Sequence, residues 1–427
     1  SDYFILQSGL LGAEKQRIPT HEAVFTSAQS RYELAADADT LSVDFNWTSP
    51  DGVSVTKRYI FARGTHAVRL EHIINNASGT PWVGREYRQL QRGQPSDEGS
   101  VFMYTYTGGA VYTQEDKYQK YDFDDLAAGQ LDRDAQDGWV AMIQHYFLAA
   151  IVPPRGQQQH FYGKRLSNGR AVIGAYTPAK TVAPGANDSF TGVLFIGPKL
   201  QAELEALAEG LDLTVNYGWL VFIDKQMYWV LEQIQDIVHN WGWTIIIFTI
   251  LIKLAFFKLS ETSYRSMANM RKLTPRIQAL KDRYGDDKQR MQQAMMEMYK
   301  TEKINPLGGC LPMLVQIPFF IALYWVLLES VELRQAPWIL WIDDLSIKDP
   351  YFVLPLIMGV SMFVQQKLNP PPPDPMQAKI LMFLPVVFTV MFAFFPSGLV
   401  LYWVVNNLLS IAQQWVITKR IEEGAKA

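Results

Sequence analysis

A lysine stands inside an apolar run. In Trp241-Gly-Trp-Thr-Ile-Ile-Ile-Phe-Thr-Ile-Leu-Ile-Lys253 the ammonium group lies about 12 residues from the start, roughly 18 Å along a helix that rises ~1.5 Å per residue. At the centre of a bilayer such a charge costs on the order of 2.5–3.5 kcal/mol on the translocon scale, so it usually faces a polar cavity or a partner. Alternatively, the long stem carries the charge out to the headgroups. Both readings stand for Lys253 on the sequence alone. Thr249 precedes it by one turn on the same helical face, Gln316 lies within the next apolar run, and Asn406, Asn407, Gln413 and Gln414 lie within the last. No carboxylate occurs in the interiors of these runs. Proton- and ion-coupled carriers use intramembrane acids, so this set points to a polar, net positive cavity and away from coupled transport. Gln413 and Gln414, near the end of their run, read first as hydrogen-bonding glue between helices.

Other chemistry is sparse. The single cysteine, Cys310, can form neither an internal disulfide nor a multi-thiolate metal site, and its apolar surroundings suit a buried, inert thiol. The six histidines (His21, His66, His72, His145, His160 and His239) fall in no zinc-protease spacing, and there is no phosphate-binding glycine loop or nucleophile elbow. No paired His and Glu site stands out in the N-terminal half. A net charge of -3 argues against general nucleic-acid binding, which needs an excess of Lys and Arg. The expectation is a non-enzyme without cofactor or metal.

The elements that must position the polar set follow from composition. Residues 1–218 are polar, whereas 219–427 hold several apolar runs near the roughly 20 residues that a helix needs to span hydrocarbon. In the first half, alternating runs at 41–47 and 53–61 flank the turn Ser49-Pro-Asp-Gly52, a strand-turn-strand signature. Similar runs at 66–74, 101–106, 139–151, 158–163, 170–176 and 190–196 predict an all-β sandwich over residues 1–198. A linking helix is expected within 199–218. At 219–239, Ile223, Met227, Val230, Ile234 and Ile237 recur at helical spacing opposite Asp224, Lys225, Glu232, Gln233 and Asp236. This helix is too charged to span, and either lies flat at the headgroups or docks on other helices.

Five spans are predicted within 240–418: 241–259, 308–328, 351–367, 380–395 and 397–418. The third offers only about 17 residues, roughly 25 Å of helix, so local bilayer thinning is expected. The loop 258–303 carries 11 Lys/Arg against 6 Asp/Glu, and 329–350 carries 2 against 5, which sets the basic loop in the cytoplasm. That loop reads as a helical hairpin (260–304) with Met267, Met270, Met291, Met295, Met296 and Met298 on its helices. These methionines either glue the hairpin or offer a pliable apolar surface to clients. Pro370–Pro373 reads as a rigid connector. Five crossings put the tail, 419–427, in the cytoplasm and the β half outside. An exported half with no anchor before Ser1 leads to the expectation of a further hydrophobic span upstream.

Several long segments are familiar: Gly285-Asp-Asp-Lys-Gln-Arg290, Asn305-Pro-Leu-Gly-Gly-Cys310, Ser330-Val-Glu-Leu-Arg-Gln-Ala-Pro337 and Phe395-Pro-Ser-Gly-Leu-Val-Leu-Tyr402. From Trp219 to Thr418 the chain resembles the YidC family of membrane protein insertases. The β half resembles, by architecture, the large periplasmic domain of Gram-negative members. The resemblance implies a multi-domain membrane protein of the bacterial inner membrane: a periplasmic β-supersandwich joined to an α-helical five-span core with a cytoplasmic hairpin. It implies a hydrophilic groove open to cytoplasm and lipid, in which Lys253 stands where the family usually has arginine. Thr249, Gln316 and Asn407 align with other groove-lining positions. Lysine keeps the charge but loses the planar fork that pairs carboxylates bidentately. The family's apolar slide falls on Phe320, Met358 and Met391, and Trp403, beside Tyr402, takes the place of a substrate-contacting tyrosine. Implied partners are nascent membrane proteins, the Sec translocon, membrane lipids and, given the nine residues after Thr418, at most a weak ribosome contact.

The implied mechanism is assisted partition. Fixed polar groups lower the desolvation penalty on a client's hydrophilic segment, and burial of its apolar stretch, ~0.8 kcal/mol per CH₂, draws it into lipid. The alternative is a small-solute transporter or channel. A third reading gives the β half a sugar-binding role, since the family's domain resembles mutarotase folds, with scaffold or partner docking the stronger expectation.

Overall fold

In the computed structural model the described residues are 3–12, 18–94, 105–215, 221–285, 287–302, 311–369 and 375–424. They form two compact units, Ser1–Asn216 and Tyr217–Ala427.

The first unit is the expected β-sandwich. Its strands are β1 (Phe4–Gly12), β2 (Thr26–Ser27), β3 (Thr40–Thr48), β4 (Val53–Ala62), β5 (Ala67–Asn76), β6 (Trp82–Arg92), β7 (Gly108–Thr113), β8 (Lys117–Tyr121), β9 (Asp132–Gln136), β10 (Gly138–Ile143), β11 (Phe147–Val152), β12 (Gln158–Arg165), β13 (Ala171–Tyr176), β14 (Lys180–Val182) and β15 (Asn187–Pro198). One sheet runs β1-β6-β13-β12-β9 with β14 on β6, the other β2-β3-β4-β5-β15-β11-β10-β7-β8. The run 139–151 is two antiparallel strands, β10 and β11, turned at 144–146. Of the run expected at 101–106, residues 101–104 lie outside the described residues, and 105–106 are not strand. The β3–β4 turn is built as its residues require. Ser49 Oγ accepts from Val53 N at 2.9 Å, and Gly52 takes φ +93, which favours glycine. Helix α1 (Phe123–Ala127) carries a capping box from Asp122, and α2 (Gln201–Leu207) follows β15.

Between two apolar clusters, one around Leu70, Leu90 and Phe161 and one around Val55, Ile74 and Trp82, the sandwich holds a layer of buried charge. Inward positions alternate along β4 (Val53, Val55, Lys57) and β5 (Leu70, His72, Ile74), and Lys57 pairs in register with His72. Glu86 of β6 takes His72 Nδ1 at 2.7 Å and Arg88 at 2.9 and 2.7 Å, while Lys57 Nζ donates to Ser8 O at 2.8 Å. The paired His and Glu that the sequence reading did not single out is therefore present. Its ring and carboxylate are 0% and 1% exposed, so it is a core network closed to ligands. Burial pushes His72 below its usual range, against the pull of Glu86. Burial alone would raise Glu86, but Arg88 and His72 hold it below the usual carboxylate range. Burial also lowers Lys57 from 10.5 to about 8.

The signs give a pH dependence. Depressed values for His72 and Glu86 contribute stability that is present above their unfolded values, 6.5 and 4.5, and is lost as pH falls. Lys57, depressed from 10.5 to about 8, holds its charge at a cost below about 8 and sheds that cost as pH rises through the window. Calorimetry of the full chain in detergent is expected to show the β-unit transition moving to lower temperature from pH 7 to pH 4, and slightly upward from pH 7 to pH 9. A flat profile over both ranges would contradict this account of the layer.

The second unit is helical: α3 (Val221–Val238), α4 (Trp241–Ala255), α5 (Phe257–Lys272), α6 (Thr274–Tyr284), α7 (Lys288–Thr301), α8 (Leu311–Glu329), α9 (Val353–Leu368), α10 (Pro375–Phe392) and α11 (Ser397–Gly424). The expected helix 241–259 ends one turn early: the chain breaks at Phe256 and bends by 66° between α4 and α5. The first helix of the expected hairpin (260–304) is interrupted at Leu273, and Pro275 opens the next helix, where its missing N–H costs nothing. Among the described residues no single helix is long and apolar enough to cross a membrane alone. The pair Trp241–Ala255 and Phe257–Met270 passes together, and Val315–Glu329, Val353–Leu368 and Met376–Phe392 are shorter apolar helices. Helix α3 docks on α4 and α8. Of the apolar stripe read from spacing, Met227 is buried, Ile223, Val230 and Ile234 are half-buried and only Ile237, at 81%, is exposed. The most buried positions, Asp224, Met227, Tyr228 and Leu231, rotate the contact face slightly away from the stripe's centre. Tyr228 Oη donates to Glu332 Oε1 at 2.6 Å, so a polar anchor fixes the rotation that the stripe left open.

Close backbone approach shapes the start of α4. A Cβ on Gly242 would stand 2.1–2.6 Å from Trp338 Cδ1, Cγ and Cβ, and because Cβ is fixed to the backbone the indole cannot swing clear. Overpacking of this kind costs about 1–3 kcal/mol. Gly242→Ala is expected to lower the unfolding temperature of the helical unit in detergent, and unchanged melting would show that the loop carrying Trp338 yields freely.

Candidate functional site

The polar residues picked out by type and spacing divide into two groups on α11. Asn406, Ser410 and Gln413 recur at i, i+4 and i+7, and therefore share one helical face. Across from that face stands Lys253, whose residue is only 7% exposed, with Nζ donating to Ser410 Oγ at 2.8 Å. Ser410 Oγ donates to Asn406 O at 2.7 Å, and Gln316 Nε2 of α8 donates to Asn406 Oδ1 at 3.3 Å. Gln413 Nε2 reaches Lys253 O at 3.4 Å, and Tyr264 Oη of α5 lies 3.5 Å from Ser410 O. Four helices, α4, α5, α8 and α11, thus meet in one polar network, in which Ser410 Oγ receives the ammonium group. Of the two readings of Lys253, the structure takes the inward one: the stem does not carry the charge away, and a hydroxyl receives it. Among the described residues no carboxylate forms an ion pair with it.

The second face holds Asn407 and Gln414. Asn407 Nδ2 donates to Ser361 Oγ of α9 at 3.2 Å, and Ser361 closes onto Met358 O at 2.7 Å. Gln414 Nε2 donates to Leu368 O and Asn369 Oδ1, each at 3.1 Å. Asn407 is thereby separated from Lys253 and its partners and ties α11 to α9. Gln414 is helix-to-helix glue, as read. Gln413 also bridges helices, but it does so at Lys253 itself. Thr249 is 1% exposed, with its hydroxyl closed onto Ile245 O of its own helix at 2.6 Å, and so offers no free donor.

The apolar positions also gather. Phe320 of α8 lies 4.5 Å from the Trp403 ring and 6.1 Å from Tyr402. Phe392 of α10 reaches Trp403 at 5.6 Å and Phe395 at 5.0 Å. Trp403 Nε1 is buried without a hydrogen-bond partner among the described residues. Met358 is fully buried, whereas Met391 is half-buried. Met358 therefore packs the α9 interface, and a client could reach it only if those helices part. Sequence reading missed Ser410, Ser361, Tyr264 and Phe392. The i, i+4, i+7 spacing from Asn406 would have found Ser410, but the others sit on helices whose rotation no local pattern fixes.

The family model described as the YidC periplasmic domain matches residues 1–230, and that of the 60Kd inner membrane protein matches 233–424. The membrane protein insertase YidC of Methylococcus capsulatus is 57% identical over 99% of this chain and 78% of its own length. That of Thioalkalivibrio sulfidiphilus is 56% identical over 99% and 77%. A solved structure described as an active YidC insertase with the first transmembrane domain resolved gives a TM-score of 0.44 at 20% identity, covering 91% of this chain and 82% of that one. With both halves matched and more than half of all positions shared across nearly the whole chain, this protein belongs to the YidC family of membrane protein insertases.

Proposed function

We propose that the cluster around Lys253 is the station at which a client's hydrophilic segment is held while its apolar stretch passes to lipid. The observation that carries this reading is an ammonium group turned inward onto Ser410 Oγ at 2.8 Å, unpaired with any carboxylate among the described residues. It is thus available to an acidic segment at little cost in broken ion pairs. Serine, asparagine and glutamine around it supply replacement hydrogen bonds, which lowers the penalty of burying client polar groups. The aromatic cluster of Phe320, Phe392, Tyr402 and Trp403 supplies apolar contact for the departing helix, with half-buried Met391 on α10 as a further contact and Met358 joining only when α9 parts from its neighbours. Gln316 and Asn407 tie α11 to its neighbours around this route, and Thr249, its hydroxyl closed onto its own helix, lines it by shape. No covalent step is required.

The same reading places the helical unit across the inner membrane as five spans, with α4 as the first and α5 leading from it into the cytoplasmic hairpin. The hairpin of α6 and α7 and the tail then face the cytoplasm, and the β unit faces the periplasm. The Sec translocon and, more weakly, the ribosome are the partners that this arrangement suits. Photocrosslinking from position 253 to a ribosome-stalled client should trap the nascent chain, and purified protein in liposomes should insert a small client without nucleotide. Solute flux without insertion would favour a channel instead.

A further inference from the structure

The segment between α8 and α9, residues 330–352, contains the stretch Ser330–Pro337. It buries Val331, Leu333, Ala336, Ile342 and Leu345 but leaves several large apolar side chains on the outside while turning most of its acids inward. Of the acids at 329–350, Glu329 and Asp349 are buried, Glu332 and Asp344 are half-buried, and only Asp343 is exposed. Leu340, Tyr351 and Ile347 point outward with 80%, 67% and 55% of their surface free, and Ile339 and Phe352 are also exposed. Both basic residues of the segment, Arg334 and Lys348, are exposed.

This arrangement is held firmly. Trp338 N donates to Ile342 O at 2.9 Å, Leu345 N to Ala336 O at 3.1 Å, Ser397 N to Ile347 O at 2.7 Å and Gly398 N to Leu345 O at 2.9 Å. Asp349 accepts from Trp341 Nε1 at 3.0 Å, Tyr351 N at 3.0 Å and Leu354 N at 2.8 Å, which also caps the start of α9. A pinned segment that turns most of its carboxylates in yet leaves Leu340, Ile347 and Tyr351 outward is poorly suited to water on all sides. Helix α9 also exposes Leu356, Ile357 and Val360, the surface that faces acyl chains in the five-span reading.

We infer that residues 338–352 form a membrane-embedded edge. The exposed apolar side chains enter the boundary between headgroups and acyl chains of the periplasmic leaflet, and Lys348 and Arg334 meet lipid phosphates. Aromatic and cationic side chains with apolar anchors are the composition that settles at that boundary. Lys348 Nζ already lies 5.9 Å from the Phe352 ring, so the pair presents a charged tip on an apolar body. The edge fixes the depth of α9, which is 16 residues long and has little length to spare. This inference rests on the five-span reading, and the test separates the two.

The full chain, carrying Cys310→Ser and a single spin label at Leu340→Cys, Ile347→Cys or Val360→Cys, is placed in nanodiscs of phosphatidylethanolamine and phosphatidylglycerol. Collision with oxygen and with a water-soluble nickel chelate is then compared. The expected result is oxygen-favoured accessibility at all three positions, deepest at 360. Nickel-favoured accessibility at 340 and 347 with oxygen-favoured at 360 overturns the embedded edge and leaves the spans standing, with a water-side protein partner or second copy as the rival occupant. Nickel-favoured accessibility at all three overturns both. Labels at 340 and 347 point outward, so folding is not at stake in either.

Discussion

Lys253→Glu is expected to abolish growth in a strain depleted of its own insertase, whereas Lys253→Arg is expected to support it. Glutamate cannot donate to Ser410 Oγ, so the bond at 2.8 Å is lost. It also sets a carboxylate in a buried place where the Ser410 hydroxyl is already committed to Asn406 O and no cation among the described residues is paired with it. An uncompensated buried charge of this kind costs several kcal/mol, and the reversed sign repels an acidic client segment. Arginine keeps the charge and adds donors. To separate insertion from folding, membrane abundance of the Glu variant is measured together with Lys253→Met, which keeps the stem and removes the charge. The proposed role predicts normal abundance and weak insertion for Met. If Lys253→Ala and Lys253→Glu both support normal growth, the ammonium has no part in the activity.

The second large effect lies in the β unit. Glu86→Ala removes the acceptor of His72 and Arg88 and strands Arg88 and Lys57 in a layer with almost no solvent contact. Breaking a buried ion pair from one side costs about 3–5 kcal/mol, a large part of the roughly 5–15 kcal/mol that holds a domain together. The β-unit transition should fall by many degrees or vanish from the calorimetric trace. Asp44→Ala serves as the comparison. Asp44 holds Arg58 at 2.7 and 2.8 Å, but both side chains are 36% exposed, and solvent screening limits such a pair to about 1 kcal/mol or less. Equal effects from the two substitutions would refute the claim that burial gives the layer its weight.

The buried layer also explains where reading the sequence stopped. Strand β6, Trp-Val-Gly-Arg-Glu-Tyr-Arg-Gln-Leu-Gln-Arg over Trp82–Arg92, pairs with β1, β13 and β14, yet its polar residues hide the alternation that marks a half-buried strand. Glu86 and Arg88 face inward because each compensates the other, and such compensation between residues on different strands leaves no local pattern. Strand β4 shows the reverse case, since Val53 and Val55 advertise the inward face and Lys57 follows them silently. The helix α3 stripe located the contact side but not its centre, where Asp224 and Tyr228 are also buried. Spacing identifies residues that share a face, but the tie between Tyr228 and Glu332 decides which face meets α4 and α8.

The sequence alone determined that a β-rich half precedes a helical, apolar half, because alternation and long apolar runs follow from what water excludes. It also determined that a charge lies inside an apolar run, and its long matching segments pointed to an insertase family. Tertiary structure alone decided that Lys253 turns inward to Ser410 while Asn407, one residue from Asn406, belongs to a different contact. A side chain's period fixes its angle around its own helix, whereas its partner is fixed by the packing of neighbouring helices that are distant in the chain.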